Sequence, residues 1–174
     1  MESTKAPLNF TLKPLGIDSI PQLLEIQEET FKTLPDKSLL RRNTYETLSV
    51  CFNDMSLVLG VFCDERLIAF GILYSAGDSD ENLAKELDDC DDVNNYTNAK
   101  LIIVRPQYRG YGLQKILLNE LVDFACAKGF KGVVATVAPD NKYSLENCLS
   151  CGFKPVKNVV KYGGNARVLL LKYC

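Results

Sequence analysis

A strand that runs into a glycine-rich turn and then straight into a helix constrains this chain more than any other feature. Residues 100–105 (KLIIVR) form an apolar run of strand length, Pro106 ends it, and Gln107-Tyr108-Arg109-Gly110-Tyr111-Gly112 follows. Beyond it Leu113, Ile116, Leu117, Leu121, Phe124 and Ala125 mark one face of a helix that ends near Lys128-Gly129. The first turn of a helix has unpaired backbone N–H groups and the positive end of the macrodipole. Glycines at that point let an anion come close to those groups, and Arg109 adds a positive charge. The segment suits a phosphate or pyrophosphate. A Walker loop needs Gly-Lys-Ser/Thr at the helix start, which is missing, and a dinucleotide fingerprint needs a third glycine where Lys115 stands.

Around this unit the chain alternates between the two regular periods. Residues 8–15 (LNFTLKPL) alternate as a strand. In residues 17–34, Ile20, Leu23, Leu24, Ile26, Phe31 and Leu34 have helical spacing, with Asp18 or Ser19 as N-cap and Pro21 near the first turn. Pro35-Asp36 breaks that helix, and residues 38–52 read as a second one. Residues 57–63 (LVLGVFC) and 67–74 (LIAFGILY) form a hairpin about Asp64-Glu65-Arg66. Residues 132–138 (GVVATVA) are a buried strand, and Asp140 or Asn141 caps a short helix that ends at Gly152. Residues 153–160 and 166–171 close as an antiparallel pair about Gly163-Gly164-Asn165. The order β-α-α-β-β-β-α-β-α-β-β has one crossover among adjacent strands. It predicts an α+β, three-layer sandwich rather than a doubly wound fold, as a single domain over residues 1–174.

Composition removes several chemistries. With no histidine in 174 residues there is no Ser-His-Asp triad, Cys-His dyad or imidazole ligand. A general base has to be a carboxylate, tyrosine, cysteine, lysine or water. Cys148 and Cys151 have C-x-x-C spacing on a helix, but no second pair or histidine accompanies them, so no metal is expected. The seven cysteines are expected to be reduced thiols in a cytoplasmic protein. No apolar run approaches the roughly 18–20 residues needed to cross a bilayer, and the start MESTKAPLNF has no leader pattern; no membrane partner is expected. Net charge is −2, yet residues 78–92 (DSDENLAKELDDCDD) hold eight acids and one lysine. The remaining body is mildly basic, which fits a phosphorylated ligand and is too weak for nucleic acid. The acidic loop insertion, residues 78–98, is expected either to draw in a cationic acceptor or to be a disordered, solubilising loop.

The glycine loop resembles the [RQ]-x-x-G-x-[GA] motif of the GNAT superfamily of acyl-CoA-dependent N-acyltransferases. Two registers are possible: Gln107-x-x-Gly110-x-Gly112, which satisfies the pattern fully, and Arg109-x-x-Gly112-x-Gln114, which leaves Gln114 where glycine or alanine is usual but is preferred because R-G-x-G commonly stands directly before the helix. Further on, Pro139-Asp140-Asn141-Lys142-Tyr143-Ser144 and Cys151-Gly152-Phe153 resemble the P-x-N-x-x-S/A and G-F elements of the same superfamily. The resemblance implies a GNAT-like α/β/α sandwich on a mixed, mostly antiparallel sheet, with acetyl-CoA as co-substrate, no metal, and an amine acceptor, small molecule or peptide. A homodimer is compatible with it. It implies that Ile102, Ile103 and Val104 pair with the pantetheine arm and that a backbone N–H near Val104 polarises the thioester. It assigns the pyrophosphate to Arg109, Gly110, Tyr111, Gly112, Leu113, Gln114 and Lys115, and places Asn141 and Ser144 beside the pantetheine.

The same resemblance places a proton-donating tyrosine in many relatives where this chain has Cys148. The thiol is either a donor or a small packing residue; packing is favoured, and Tyr143 and Tyr108 are alternative donors. Glu25, Glu28 and Glu29, or the acids of 78–92, are candidates for the base. Tyr162 and Arg167 flank the last hairpin turn and are expected to contact the acceptor. A non-catalytic acyl-CoA sensor and a nucleotide-binding regulatory module are the alternatives to an enzyme.

Overall fold

Seven strands among the described residues make one sheet: β1 (Thr11–Pro14), β2 (Leu57–Cys63), β3 (Arg66–Tyr74), β4 (Tyr96–Val104), β5 (Gly132–Val137), β6 (Lys154–Lys161) and β7 (Asn165–Tyr173). The computed structural model describes residues 5–174, so the first four residues of the start examined for a leader lie outside the described residues. The strand order is β1-β2-β3-β4-β5-β7-β6, and every neighbouring pair is antiparallel except β4–β5. Helices α1 (Ile20–Thr33) and α2 (Tyr45–Ser49) cover one face; α3 (Leu113–Ala127) and α4 (Lys142–Ser150) cover the other. This is the three-layer sandwich that the element order predicted.

β3 explains why both faces are covered. Eight of its nine residues are buried. Phe70 and Ile72 pack with Ile20, Leu23 and Ile26 of α1, while Ala69 and Leu73 pack with Leu117 and Leu121 of α3. Period-2 alternation splits an apolar run between two helical layers. Gly71 lets α3 settle closely: a Cβ there would lie 3.2 Å from Leu121 Cδ1 and 3.4 Å from Leu117 Cβ.

The helix expected over residues 38–52 is not formed. A 3-10 turn (Lys37–Leu39) and the five-residue α2 replace it. Gln27, on α1, binds the backbone of Asn43 from both sides, donating to its C=O and accepting from its N–H at 2.9 Å each. Those groups are no longer available to a helix. Thr44 then caps α2, its backbone N–H and side chain exchanging bonds with Thr47 at 2.8 and 3.3 Å.

The acidic segment is ordered, not a disordered loop. Asn82, fully buried, donates to Gly77 O (2.7 Å) and Val93 O (3.0 Å) and accepts from Ala84 N–H (3.0 Å). Asn98 of β4 accepts from Leu83 N–H (3.0 Å) and donates to Glu81 O (2.7 Å). Four of the segment's eight acids are paired with bases elsewhere: Glu81 with Arg41 (2.8 Å) and Lys100 (3.2 Å), Glu86 with Lys161 (2.9 Å), Asp88 with Lys157 (2.8 Å) and Asp91 with Lys131 (2.6 Å). The thiols also differ from expectation. Cys126 and Cys174 form a disulfide with Cα atoms 5.3 Å apart. The last residue is brought beside the α3–β5 turn, where Cys174 N–H donates to Lys131 O at 2.9 Å.

Asn82→Ala removes three bonds to the backbone, one buried and two part-buried, so it should destabilise the protein by about 2–3 kcal/mol. Chemical denaturation checks the size. Amide exchange should rise first across residues 76–95.

Candidate active site

The parallel pairing of β4 with β5 is short. It covers Tyr96↔Gly132, Thr97↔Val133 and Asn98↔Val134, and then the strands separate. At that point β4 carries one residue more than β3: Ile72 pairs with Leu101 and Leu73 with Ala99, leaving Lys100 as a bulge. Arg105 N–H donates to Ile68 O at 2.9 Å. By antiparallel alternation the N–H groups of Ile103 and Leu101 also point to β3. Those of Ile102 and Val104 point to the other edge, where β5 has moved away.

The gap continues into a cleft with two arms. One arm is bordered by Ile102, Ile103, Val104, Tyr108, Arg109, Gly110, Gly112 and Leu113, with Lys5, Thr30, Asn141 and Ser144. The other lies between the separated strands and is bordered by Lys100, Thr136, Cys148, Arg41, Tyr162 and Arg167. Leu39, Leu40, Ile102, Gln114, Asn141 and Ser144 border both.

The first arm is an anion cradle. Gly110 (φ 85) and Gly112 (φ 76) lie in the left-handed region, and Gly112 is the N-cap of α3 with no side-chain bond to its first turn. The N–H groups there are unspent. Space beside Gly112 is open, since a Cβ would meet nothing within 4 Å. Gly110 and Gly112 are both positions of the register beginning at Gln107, and Gly112 is also a position of the one beginning at Arg109. Gln114 sits inside the helix and needs no glycine. Its side chain braces α4 instead, donating to Ser144 Oγ (3.0 Å) and accepting from Asn147 Nδ2 (2.8 Å). Asn141 caps α4, accepting from Ser144 N–H at 3.3 Å. Leu113 turns its side chain into the core, so only its backbone serves the cradle. Tyr111 packs on the core, and Lys115 is exposed outside the cleft lining.

One cation of the cradle escaped sequence reading. Lys5 donates to Arg109 O and lies 4.9 Å from the Tyr111 ring centroid. Nothing in the sequence ties residue 5 to residue 109. Thr30 borders the same arm, and its buried hydroxyl has no partner among the described residues.

The second arm separates the candidate acids and bases. Cys148 is buried, and desolvation pushes its thiol up to about 12. It is a packing residue under the cleft and a poor donor. Tyr143 and Tyr108 border the cradle arm instead. Tyr162 is the hydroxyl at the second arm, 3.0 Å from Thr136 Oγ1. It holds φ 55, one of two non-glycine residues with positive φ among those described. A bulky residue is seldom found there.

Glu28 is not at the site: it pairs with Arg42 on the exposed side of α1. Glu25 and Glu29 are both taken by Arg105. Glu81 is held by Arg41 through two bonds of 2.8 Å and by Lys100. Arg41, with burial opposing and Lys100 assisting, brings its carboxyl down to about 2. It is a weak base. Arg167 is buried, donating to Ala166 O (2.9 Å) and Ser38 O (2.6 Å). Arg41 and Lys100 were missed because the bulge and the Arg41–Glu81 pair exist only in the folded chain.

A model of the acetyltransferase (GNAT) family matches residues 20–153. A sequence search of curated proteins gave no match. Among solved structures, a phosphinothricin acetyltransferase of Sinorhizobium meliloti in complex with acetyl-CoA superposes with TM-score 0.72 at 16% identity, over 95% of this chain and 89% of that one. The ribosomal-protein-S18-alanine N-acetyltransferase of Escherichia coli gives 0.70 at 17%, over 94% and 92%. A Salmonella typhimurium protein assigned as an acetyltransferase and solved with its cofactor acetyl-CoA gives 0.70 at 16%, over 94% and 93%. At these identities the likeness is one of fold.

Glu81's carboxyl sits below its ordinary value of 4.5 in the folded chain. Its stabilisation is therefore complete above that value and is lost as pH falls toward about 2. The stability difference between wild type and Glu81→Gln should be constant above pH 4.5 and shrink below it, read from denaturation midpoints across pH.

Proposed function

Because this chain belongs to the GNAT acetyltransferase family, we propose that it moves an acetyl group from acetyl-CoA to a primary amine by direct attack on the thioester. The observation that carries the reading is the free edge of β4: the N–H groups of Ile102 and Val104 face a cleft that leads to the uncapped start of α3. The residues fit the co-substrate. The N–H groups of the first turn of α3, with Arg109 and Lys5, would hold the pyrophosphate. The edge of Ile102–Val104 would pair with the amide-bearing pantetheine arm. Thr30, Asn141 and Ser144 border that arm.

Acetyl-CoA supplies an activated acyl carbonyl. The Val104 N–H would stabilise negative charge on its oxygen. The amine nitrogen forms a bond to the acyl carbon, the carbon–sulfur bond breaks, and one amine proton is lost while the sulfur gains one. Tyr162 is proposed as the proton donor to sulfur. With its thiol pushed up to about 12, Cys148 is a poor nucleophile, which supports direct transfer over an acyl-cysteine route. No carboxylate is needed to deprotonate the amine: Arg41, Lys100 and Arg167 oppose an ammonium in the second arm and favour the neutral nucleophile.

Free coenzyme A released across a panel of amines, with products identified by mass spectrometry, tests the reading; binding of acetyl-CoA without turnover would make the protein a sensor instead. Gly112→Asp should weaken acetyl-CoA binding at least about tenfold, near 1.4 kcal/mol, by calorimetry. Tyr162→Phe should lower kcat by about a hundredfold, with acetyl-CoA affinity retained. Cys148→Ala should cost about 1 kcal/mol of stability and leave kcat within about twofold. A large kcat loss in Cys148→Ala with none in Tyr162→Phe would reverse the assignment of the donor.

A further inference from the structure

The acceptor arm is lined by cations, although the most acidic stretch of the chain stands next to it. Lys100, Arg41 and Arg167 all border it. Lys100 and Arg41 share a single carboxylate, that of Glu81, and none of the described residues lining the arm is acidic, so positive charge is in excess around Tyr162. The Tyr162 ring lies 4.6 Å from the Arg41 guanidinium carbon and 5.5 Å from that of Arg167.

Arg167 is the unusual member. It is 4% exposed and has no ion pair among the described residues. Two of its N–H groups reach backbone oxygens, Ala166 O and Ser38 O. A guanidinium carries five N–H donors, so the others remain for a ligand. The acid that acts on it from the neighbouring turn, Asp36, forms no ion pair with it; one of its carboxylate oxygens, Oδ1, accepts from the Ser38 N–H at 2.9 Å and the Ser38 hydroxyl at 2.8 Å. Burial without a counter-ion is costly for a cation. A fork of this shape is matched by a planar anion with two oxygens.

We propose that Arg167, supported by Arg41 and Lys100, receives a carboxylate of the acceptor, so that the substrate is an amino acid or similar carboxylated amine rather than a polyamine. This rests on the acetyltransferase reading above and names its substrate class. The acidic segment does not oppose it. Glu81 is committed to Arg41 and Lys100, and Glu86, Asp88 and Asp91 are committed to lysines of β6 and the α3–β5 turn. The same surplus of charge serves both ends of such a substrate, binding its carboxylate and favouring loss of a proton from its ammonium.

The test compares matched pairs that share an amine and differ in the carboxylate. Glycine, L-alanine, L-phenylalanine and L-glutamate are each assayed against the corresponding α-carboxamide, with spermidine as a polyamine lacking any anion. In wild type at least one acid should exceed its amide in kcat/KM by at least about a hundredfold. In Arg167→Gln that ratio should fall below about threefold with acetyl-CoA affinity unchanged, and Arg167→Lys should restore part of it. Amides or spermidine used as well as the acids would overturn the proposal, as would a preference that survives Arg167→Gln. If Arg167→Gln does not fold, the wild-type ratios decide alone. If no amine releases coenzyme A, the transferase reading fails, and calorimetry on the coenzyme A-loaded protein decides this one. An acid bound at least about tenfold more tightly than its amide upholds it; equal or absent binding of all pairs overturns it.

Discussion

Two strands that should share a ladder share only three residue pairs, and the site follows from that divergence. β4 and β5 are parallel neighbours from Tyr96 to Asn98 and then part at the Lys100 bulge. A buried N–H without a partner costs about 1–3 kcal/mol, so the freed edge at Ile102 and Val104 has to face solvent or a ligand. The gap is held by packing rather than by chance. Leu39 and Leu40 come over it from the turn between α1 and α2. The Gln114–Ser144–Asn147 network ties α3 to α4 beneath it. If the strands paired to their ends, the glycine turn would still bind an anion, but no extended arm could reach from there to Tyr162.

Charge is distributed quite differently along the chain and in space. Read linearly, residues 78–92 are a block of negative charge beside a mildly basic body. In the fold that block is laid across the bases it neutralises, on β4, β6 and the α3–β5 turn, and two buried asparagines fix its path. Most of these pairs are exposed and individually worth little. Their collective effect is on the field, because four of the eight acids are drawn onto bases of the body, while the buried Arg167 has no ion pair among the described residues. A cleft screened from water makes that single charge count for more than several at the surface.

What could be read in advance was local. The strand–glycine–helix unit, the cap at Asn141 and the hairpin about residues 64–66 are encoded within a few residues of one another, and each forms nearly where its pattern lies. The stretch 38–52 misled because Leu39, Leu40, Leu48 and Cys51 imitate a helical stripe, while the competitor for its backbone, Gln27, comes from another helix. Disulfide partners 48 residues apart, Lys5 at the cradle and Arg41 on Glu81 have no local signature at all. The glycine register was ambiguous on paper because the alignment from Gln107 satisfies the motif in full, while the one from Arg109 stands directly before the helix but departs from the motif at Gln114; the two share Gly112.

The same distinction bears on the proton donor. A motif comparison looks for a tyrosine on α4 and finds Cys148, whose thiol points into a packed, desolvating layer. The cleft has a second wall, however, supplied by the β6–β7 turn. There Tyr162 is kept in a left-handed conformation that glycine would hold more cheaply, with Asn165 Nδ2 bound to its carbonyl at 3.0 Å and two glycines following. A strained tyrosine persists when its surroundings over-determine it. Thr136 fixes its hydroxyl from β5, and Arg41 flanks its ring. The phenol absent at position 148 of α4 is, in the proposed reading, presented from the opposite side of the same gap. A proton donor has only to reach the departing sulfur, whichever element carries it.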